Sequence, residues 1–394
     1  RSRRQRQMCI RDRIYPWVKI NRGREKSIER FHPWVFSGSI NSAERELQEG
    51  ELVKLVDSED EFLAIGHCFS GSLAVKILSF EDVEINQSWF NEQIESAISR
   101  RSTLNLPSEE TNAYRLVHAE GDGLSGLIID VYKDVAVIQP HSVGMEQSLV
   151  LIVNSLKKFG FSKIVHNPVG KGETITLAGE ISERVEVLEN EAKYFVDPIN
   201  GQKTGFFLDQ RENRFLLRNY AHDKSVLNVF SYTGGFSISA LLGGAKQVLS
   251  LDSASAALDI CEENARLNNL ESKHNTIKAD ALVYLQKMQD KFDVIVLDPP
   301  AFAKHKSARH NAIQAYRRIN EAAINALEKG GILFTFSCSQ VVTQQLFYDT
   351  IASAAMNSKR KVSVLHRLRQ PADHPVSLFH PEGEYLKGLV LRID

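Results

Sequence analysis

Four acidic or nucleophilic side chains stand where apolar runs of this 394-residue chain stop. Asp252 closes "QVLSLD", Asp280 follows "NTIKA", Asp298 follows "FDVIVL" and Cys338 follows "ILFTFS". A carboxylate at the end of a buried strand is placed to accept hydrogen bonds from ligand hydroxyls. A cysteine there is either a small core filler or a thiol set where a substrate arrives.

Gly234 and Gly235, in "NVFSYTGGFS", lack Cβ atoms, so the backbone can turn tightly and approach a ligand. Asn228, Ser231, Tyr232 and Thr233 surround them with polar and aromatic groups. The stretch is neither G-x-G-x-x-G nor a Walker motif, which argues against a dinucleotide or P-loop nucleotide. Asp252, followed by Ser253, sits where ribose hydroxyls would be held. Asp280, followed by Ala281, is placed for an adenine amino group. Each alone reads equally as a turn or cap residue. Three strand ends in this order point to S-adenosylmethionine (SAM).

"LDPPAF", Leu297 to Phe302, is the fourth strand end. Pro299 and Pro300 cannot donate to a ladder and turn the chain out of the sheet. Asp298 and rigid carbonyls then face the transferable methyl group and a target base; Asp/Asn-Pro-Pro-x-aromatic is a signal for methylation of nucleic-acid bases. Cys338 ends the next strand and approaches the same cleft. C5 of cytosine is a poor nucleophile, but thiolate attack at C6 breaks the conjugation and makes C5 enamine-like. C5 can then take a methyl from a sulfonium, and loss of its proton with elimination releases the cysteine. Asp298 would hydrogen-bond the base near N3 or N4. Such a thiol needs exposure and a lowered pKa, and Ser337 and Ser339 fit a polar rim around it.

The elements that must position these groups fall into three parts, preceded by a leader. Residues 1–13, "RSRRQRQMCIRDR", carry six arginines against one aspartate and no apolar periodicity, and read as a disordered or non-native extension. The leader holds +5 of an overall −1, so the remaining chain stands at −6 and any nucleic-acid binding must come from a local patch. Apolar residues make up 43% and charged residues 25%, as in ordinary globular chains, and no run approaches a membrane span. Four cysteines without CxxC spacing predict neither zinc nor disulfides, hence no metal and a cytoplasmic chain with reduced thiols. Residues 14–86 alternate like a small β-barrel, with "RFHPWVFSGSI" its most distinctive segment. Residues 87–188 read as a compact α+β domain in which Arg115, His118 and Glu120 line a cleft. Residues 189–394 alternate strand and helix, and near-continuous apolar runs such as Val294–Leu297 fit a parallel sheet covered on both faces.

The chain resembles the bacterial 23S ribosomal RNA cytosine-C5 methyltransferases of the RlmI type. The resemblance rests on "GREKSIERFHPWVFSG", "DGLSGLIID", "GQKTGFFLDQREN", "VLNVFSYTGGFS", "LDPPAFAK", "TFSCS", "ADHPV" and "PEGEYLKG". It implies an α/β protein: an N-terminal PUA β-barrel, a central α+β domain and a C-terminal Rossmann-like class I SAM-dependent methyltransferase domain. It further implies Cys338 as nucleophile and SAM contacts from the Gly234-Gly235 loop, Asp252, Asp280 and Asp298. "FLDQREN" would close over the cofactor, with Gln210 and Arg211 at the site. Many RNA cytosine-C5 methyltransferases carry a second cysteine after the prolines; Ala301 stands here, as in the RlmI type, so product release would use another base or water.

On the RNA side, the resemblance makes 23S rRNA the partner and leaves the oligomeric state, a homodimer included, open. Pro299 and Pro300 adjoin the base, Phe302 would stack on it, and Lys304 and Lys306 of "AKHKSARH", with Arg317 and Arg318, would grip phosphates. Two alternatives stand beside this reading: an rRNA guanine methyltransferase with no covalent step, and a non-catalytic RNA-binding ribosome-assembly factor.

Overall fold

The computed structural model describes residues 15–170 and 172–394; the leader expected at 1–13 lies outside the described residues. Six strands come first: β1 (Trp17–Ile20), β2 (Trp34–Phe36), β3 (Ile40–Ala43), β4 (Leu52–Val56), β5 (Phe62–Cys68) and β6 (Leu73–Ser79). They form one sheet in the order β2-β6-β5-β4-β1-β3, with β1 parallel to β4. It curls around Val18, Ile20, Val35, Val53, Leu55 and Ile77. A turn at Asp57–Asp60 joins β4 to β5: the Asp57 side chain accepts the Glu59 and Glu61 amides and Asp60 is left-handed.

Asn86 caps the helix Gln87–Thr103, accepting the Ser88 and Trp89 amides, and so opens the second unit. Its strands are β7 (Ala113–His118), β8 (Leu127–Tyr132), β9 (Val135–Pro140), β10 (Lys163–His166) and β11 (Ile175–Ala178), in the order β11-β10-β9-β8-β7. Alternation along β9 explains why this unit is not free-standing. Ala136 and Ile138 pack under the Gln87–Thr103 and Leu149–Lys158 helices, whereas Val135 and Val137 join a core shared with the C-terminal unit. A hairpin, β12 (Val185–Glu189) and β13 (Ala192–Val196), belongs to that shared core. A boundary at 188/189 would cut this hairpin, whose turn at Asn190-Glu191 has two left-handed residues.

The C-terminal sheet contains β14 (Ser225–Val229), β15 (Gln247–Asp252), β16 (His274–Lys278), β17 (Val294–Leu297), β18 (Ile332–Ser337), β19 (Val362–Leu368) and β20 (Lys387–Ile393). Their order is β16-β15-β14-β17-β18-β20-β19, with β20 antiparallel to both neighbours and the remaining pairs of β14–β18 parallel. Along β17, Val294 and Val296 enter one core and Ile295 and Leu297 the other, so helices cover both faces. The carboxyl ends of β14–β18 therefore converge on one edge.

Buried arginine–carboxylate pairs, each within one unit, brace the contact between the central and C-terminal units. Arg101 grips Asp122 (2.6 and 2.7 Å), Arg115 grips Asp130 (2.7 and 2.9 Å) and Arg211 grips Asp373 (2.8 and 2.9 Å). Asp373 also accepts the Arg115 amide at 3.0 Å, and its own carbonyl accepts from Arg101 at 2.8 Å. Arg115, His118 and Glu120 are thus structural and do not line a cleft: Arg115 is saturated by Asp130, His118 is buried against it, and Glu120 accepts from Trp34 of the barrel at 2.9 Å. Cutting one partner strands a buried charge, which typically costs about 3–5 kcal/mol. Asp373→Asn is expected to lower the urea midpoint accordingly, and the apolar pair Arg211→Met with Asp373→Leu to recover much of it.

Candidate active site

At the carboxyl edge of the C-terminal sheet lies a cavity of about 450 Å³. Its wall includes Ser231, Tyr232 and Gly235 after β14, Asp252 and Ser253 after β15, Asp298, Pro299 and Pro300 after β17, and Cys338 after β18. A second cavity of about 210 Å³ shares Phe230, Asp252 and Ser253 with the first and adds Asp280, Ala281, Leu282 and Phe302.

The loop after β14 is held in an uncommon backbone shape. Phe230, Tyr232 and Gly234 are all left-handed, with φ of 61°, 48° and 83°. Asp252 stabilises it by accepting the Tyr232 amide at 2.9 Å and the Ala254 amide at 3.0 Å. Gly234 does not reach the cavity; its role is steric, since a Cβ there would lie 2.4 Å from the buried Cys261 sulfur. Asn228 and Thr233 also lie behind the wall. The Asn228 amide donates to Ser237 at 2.8 Å, and the Thr233 carbonyl accepts from Asn264 at 2.8 Å.

Asp209 and Gln210 face the cavity, but the next residue, Arg211, turns back to Asp373. Arg211 is therefore not a cavity residue, because its guanidinium is spent on Asp373. Asn213 holds the Gln210 carbonyl at 2.7 Å and leaves its amide toward Asp298. Burial, reinforced by the Asp209 carboxylate, pushes the Asp298 carboxyl up to about 7. Burial also raises the Cys338 thiol, opposed chiefly by Lys203, so Cys338 rests as a thiol at neutral pH.

Ser337 and Ser339 are buttresses and not a rim. Ser337 donates to the Tyr316 hydroxyl at 2.9 Å, and Ser339 donates to the Ala303 carbonyl at 2.7 Å, tying the Cys338 turn to the Asp298 segment. Phe302 packs on Tyr316, 4.6 Å between centroids, and lines the smaller cavity beside Asp280. That puts it with the adenine-type slot and away from Cys338. Lys304 and Lys306 are exposed and outside both cavities, and Arg318 borders the smaller one.

The two joined cavities fit an adenosyl cofactor. The smaller offers apolar walls and Asp280, the shared wall offers Asp252 for a diol, and the larger holds Ser231 Oγ and Asp209 Oδ1, buried polar atoms without a partner among the described residues.

Residues 164–391 match the model of a family described as S-adenosylmethionine-dependent methyltransferases, and residues 18–80 match a PUA-like domain. A Klebsiella pneumoniae (strain 342) protein named ribosomal RNA large subunit methyltransferase I is 39% identical, over 97% of this chain and 99% of its own. The protein of that name from Escherichia coli (strain SMS-3-5) is 38% identical, over 95% and 98%. The chain belongs to the ribosomal RNA large subunit methyltransferase I family. Among solved structures, a methyltransferase complexed with SAH superposes with a TM-score of 0.85 at 25% identity, covering 95% of this chain and 99% of the other. A Streptococcus mutans protein assigned as SAM-dependent superposes at 0.84 with 24% identity, over 95% and 99%, and shows the shared fold.

With the methyltransferase fold and its SAM pocket in place, the cavity holds residues that sequence reasoning passed over. Lys203 pairs with Asp209 at 3.1 Å and lies 4.3 Å from the Phe207 ring centre. Arg214 grips Glu189 at 2.6 Å through two nitrogens and borders the cavity with Leu386. The signal was present in "GQKTGFF", a lysine between glycines; Lys203 and Gly205 are both left-handed. Among the described residues, His32, His380 and Glu382 form one cluster with metal-ligand spacing. His32 Nδ1 is engaged by the Trp34 backbone, 3.1 Å from its carbonyl oxygen and 3.2 Å from its amide nitrogen, and His32 Nε2 lies 3.9 Å from Glu382.

The raised Asp298 carboxyl has a signed consequence for stability. Its contribution is fully present below the unfolded value near 4 and is lost as pH rises through about 7. Asp298→Asn is therefore expected to raise Tm at pH 8, by on the order of 5 °C, and by clearly less at pH 5. Equal shifts at both pH values in scanning calorimetry would contradict the assignment.

Proposed function

We propose that this methyltransferase acts on large-subunit (23S) ribosomal RNA, in the cytoplasm, and methylates C5 of a cytosine through a covalent bond from Cys338 to C6. The substrate class follows the names of the full-length relatives. The observation that carries the chemistry is that Cys338 and Asp298 border the same cavity, next to Pro299 and Pro300.

Bound SAM supplies an electrophilic methyl group on a sulfonium. Asp280 and Ala281 would hold its adenine, Asp252 and Ser253 its ribose, and Ser231, Gly235 and Arg214 its amino-acid end, leaving the Cys338 side of the cavity for the base. Cys338 first loses its thiol proton to solvent, and the thiolate then donates its electron pair to C6. Asp298, its carboxyl pushed up to about 7 and so partly protonated at neutral pH, is suited to donate to N3 and receive the charge that attack pushes into the ring. After methylation a base removes the C5 proton, the C5–C6 double bond re-forms and sulfur leaves. Ser339 and Ser337 hold the thiol against the Asp298 segment throughout, and Gln210 steadies the carboxyl.

A guanine methyltransferase would need no thiol, and a binding factor would need no transfer at all. Cys338→Ala is expected to abolish methyl transfer to rRNA while leaving SAM affinity, by calorimetry, within about threefold. A variant that still methylates at a tenth of the normal rate would remove the covalent route.

A further inference from the structure

We propose that Lys387 is the counter-charge that allows Cys338 to exist as a thiolate, a positioning role that rests on Cys338 being the nucleophile. Lys387 opens β20 opposite Ser337 of β18, and its ammonium reaches past the strand end to the Ser339 carbonyl at 2.7 Å. The lysine therefore spans the Cys338 turn, from the residue before the thiol to the residue after it. It is buried, with 5% of its surface exposed, and this carbonyl is its one hydrogen-bond partner among the described residues. No carboxylate of the described residues lies within ion-pair distance of it.

A buried ammonium whose one hydrogen-bond partner is a neutral carbonyl is costly, and a negative charge beside it would offset that cost. The ionisable groups acting on it are Cys338 first and Glu384 second, and burial otherwise presses its pKa down to about 8. Viewed from Cys338, four groups matter: Lys203, Asp298, Asp209 and Lys387. Lys203 is the stronger cation at the sulfur, and it is held by Asp209 at 3.1 Å, which opposes it there. Asp298 is near half-neutral at pH 7. Lys387 is left as the uncompensated cation. When the thiol loses its proton to solvent or to a bound base, the resulting thiolate and the ammonium stabilise each other in a poorly solvated turn. No atom is transferred between them, so Lys387 raises the thiolate fraction without touching the substrate.

The test is the pH profile of iodoacetamide alkylation at Cys338, followed on its peptide by mass spectrometry in the full chain, without RNA or SAM. Lys387→Gln keeps a donor for the Ser339 carbonyl and removes the charge. It is expected to move the midpoint up by about one unit and to slow alkylation at pH 7.5 roughly tenfold. Lys387→Arg is expected to track the wild type. Should Lys387→Gln not fold, Lys387→Met and the Arg variant provide the same comparison. Superimposable profiles for the charged and uncharged variants would overturn the proposal. Because no base takes part, a Lys387-dependent profile in a protein that fails to methylate cytosine would sink the functional reading and leave this one standing.

Discussion

Asp373 sits where the central and C-terminal units meet, and its carboxylate cannot be left unpaired. It takes both forks of Arg211 and the Arg115 amide, while its backbone carbonyl takes Arg101. Around it the chain is packed to contact: a Cβ on Gly121 would lie 1.9 Å from the Pro375 carbonyl. This constraint decides where the cavity wall stands. Arg211 is the first residue of the Arg211–Ala221 helix, so anchoring it sets Asp209 and Gln210, the two residues before it, against Asp298. Tyr385 completes the arrangement by donating to Asp209 at 2.7 Å, two residues before Lys387 enters the sheet. Such pairs are poor sources of net stability but strong sources of a single geometry, since each has one low-energy partner.

The cavity is acidic on its walls and almost closed to compensation. Asp209, Asp252 and Asp298 face it, and Asp209 keeps one oxygen without a partner in the protein. Lys203 and Arg214 are already committed to carboxylates. A site of this kind favours a cationic ligand and penalises a second anion, which suits a sulfonium donor. Burial, reinforced by the neighbouring carboxylates, raises both the Asp298 carboxyl and the Cys338 thiol.

Much of this was legible in the sequence, for identifiable reasons. "VIVL" reads as a strand buried on both faces because its alternate residues enter two different cores. The residues after β14 to β18 were legible as site residues because a parallel sheet brings its carboxyl ends to one edge. What failed were neighbours within motifs. In "FLDQREN" the wall is one residue deep, so Gln210 faces the ligand and Arg211 faces away. Asn228, Thr233 and Gly234 shape the loop from behind, and Phe302 belongs with Asp280. The β12–β13 hairpin was missed because its turn is Asn190-Glu191, with no glycine to mark two left-handed residues. Lys203 sits in a loop without periodicity, and only its place between Gly201 and Gly205 marked it.

The central claim is a bond between one sulfur atom and one ring carbon. RNA bearing 5-fluorocytosine at the target position, incubated with SAM, tests it directly, since a C5 carrying both fluorine and methyl has no proton to lose and the adduct persists. The account predicts a stable protein–RNA species that carries the transferred methyl and whose cross-linked peptide contains Cys338. Complete transfer without any adduct, or methyl recovered on a nitrogen of the base, would contradict it.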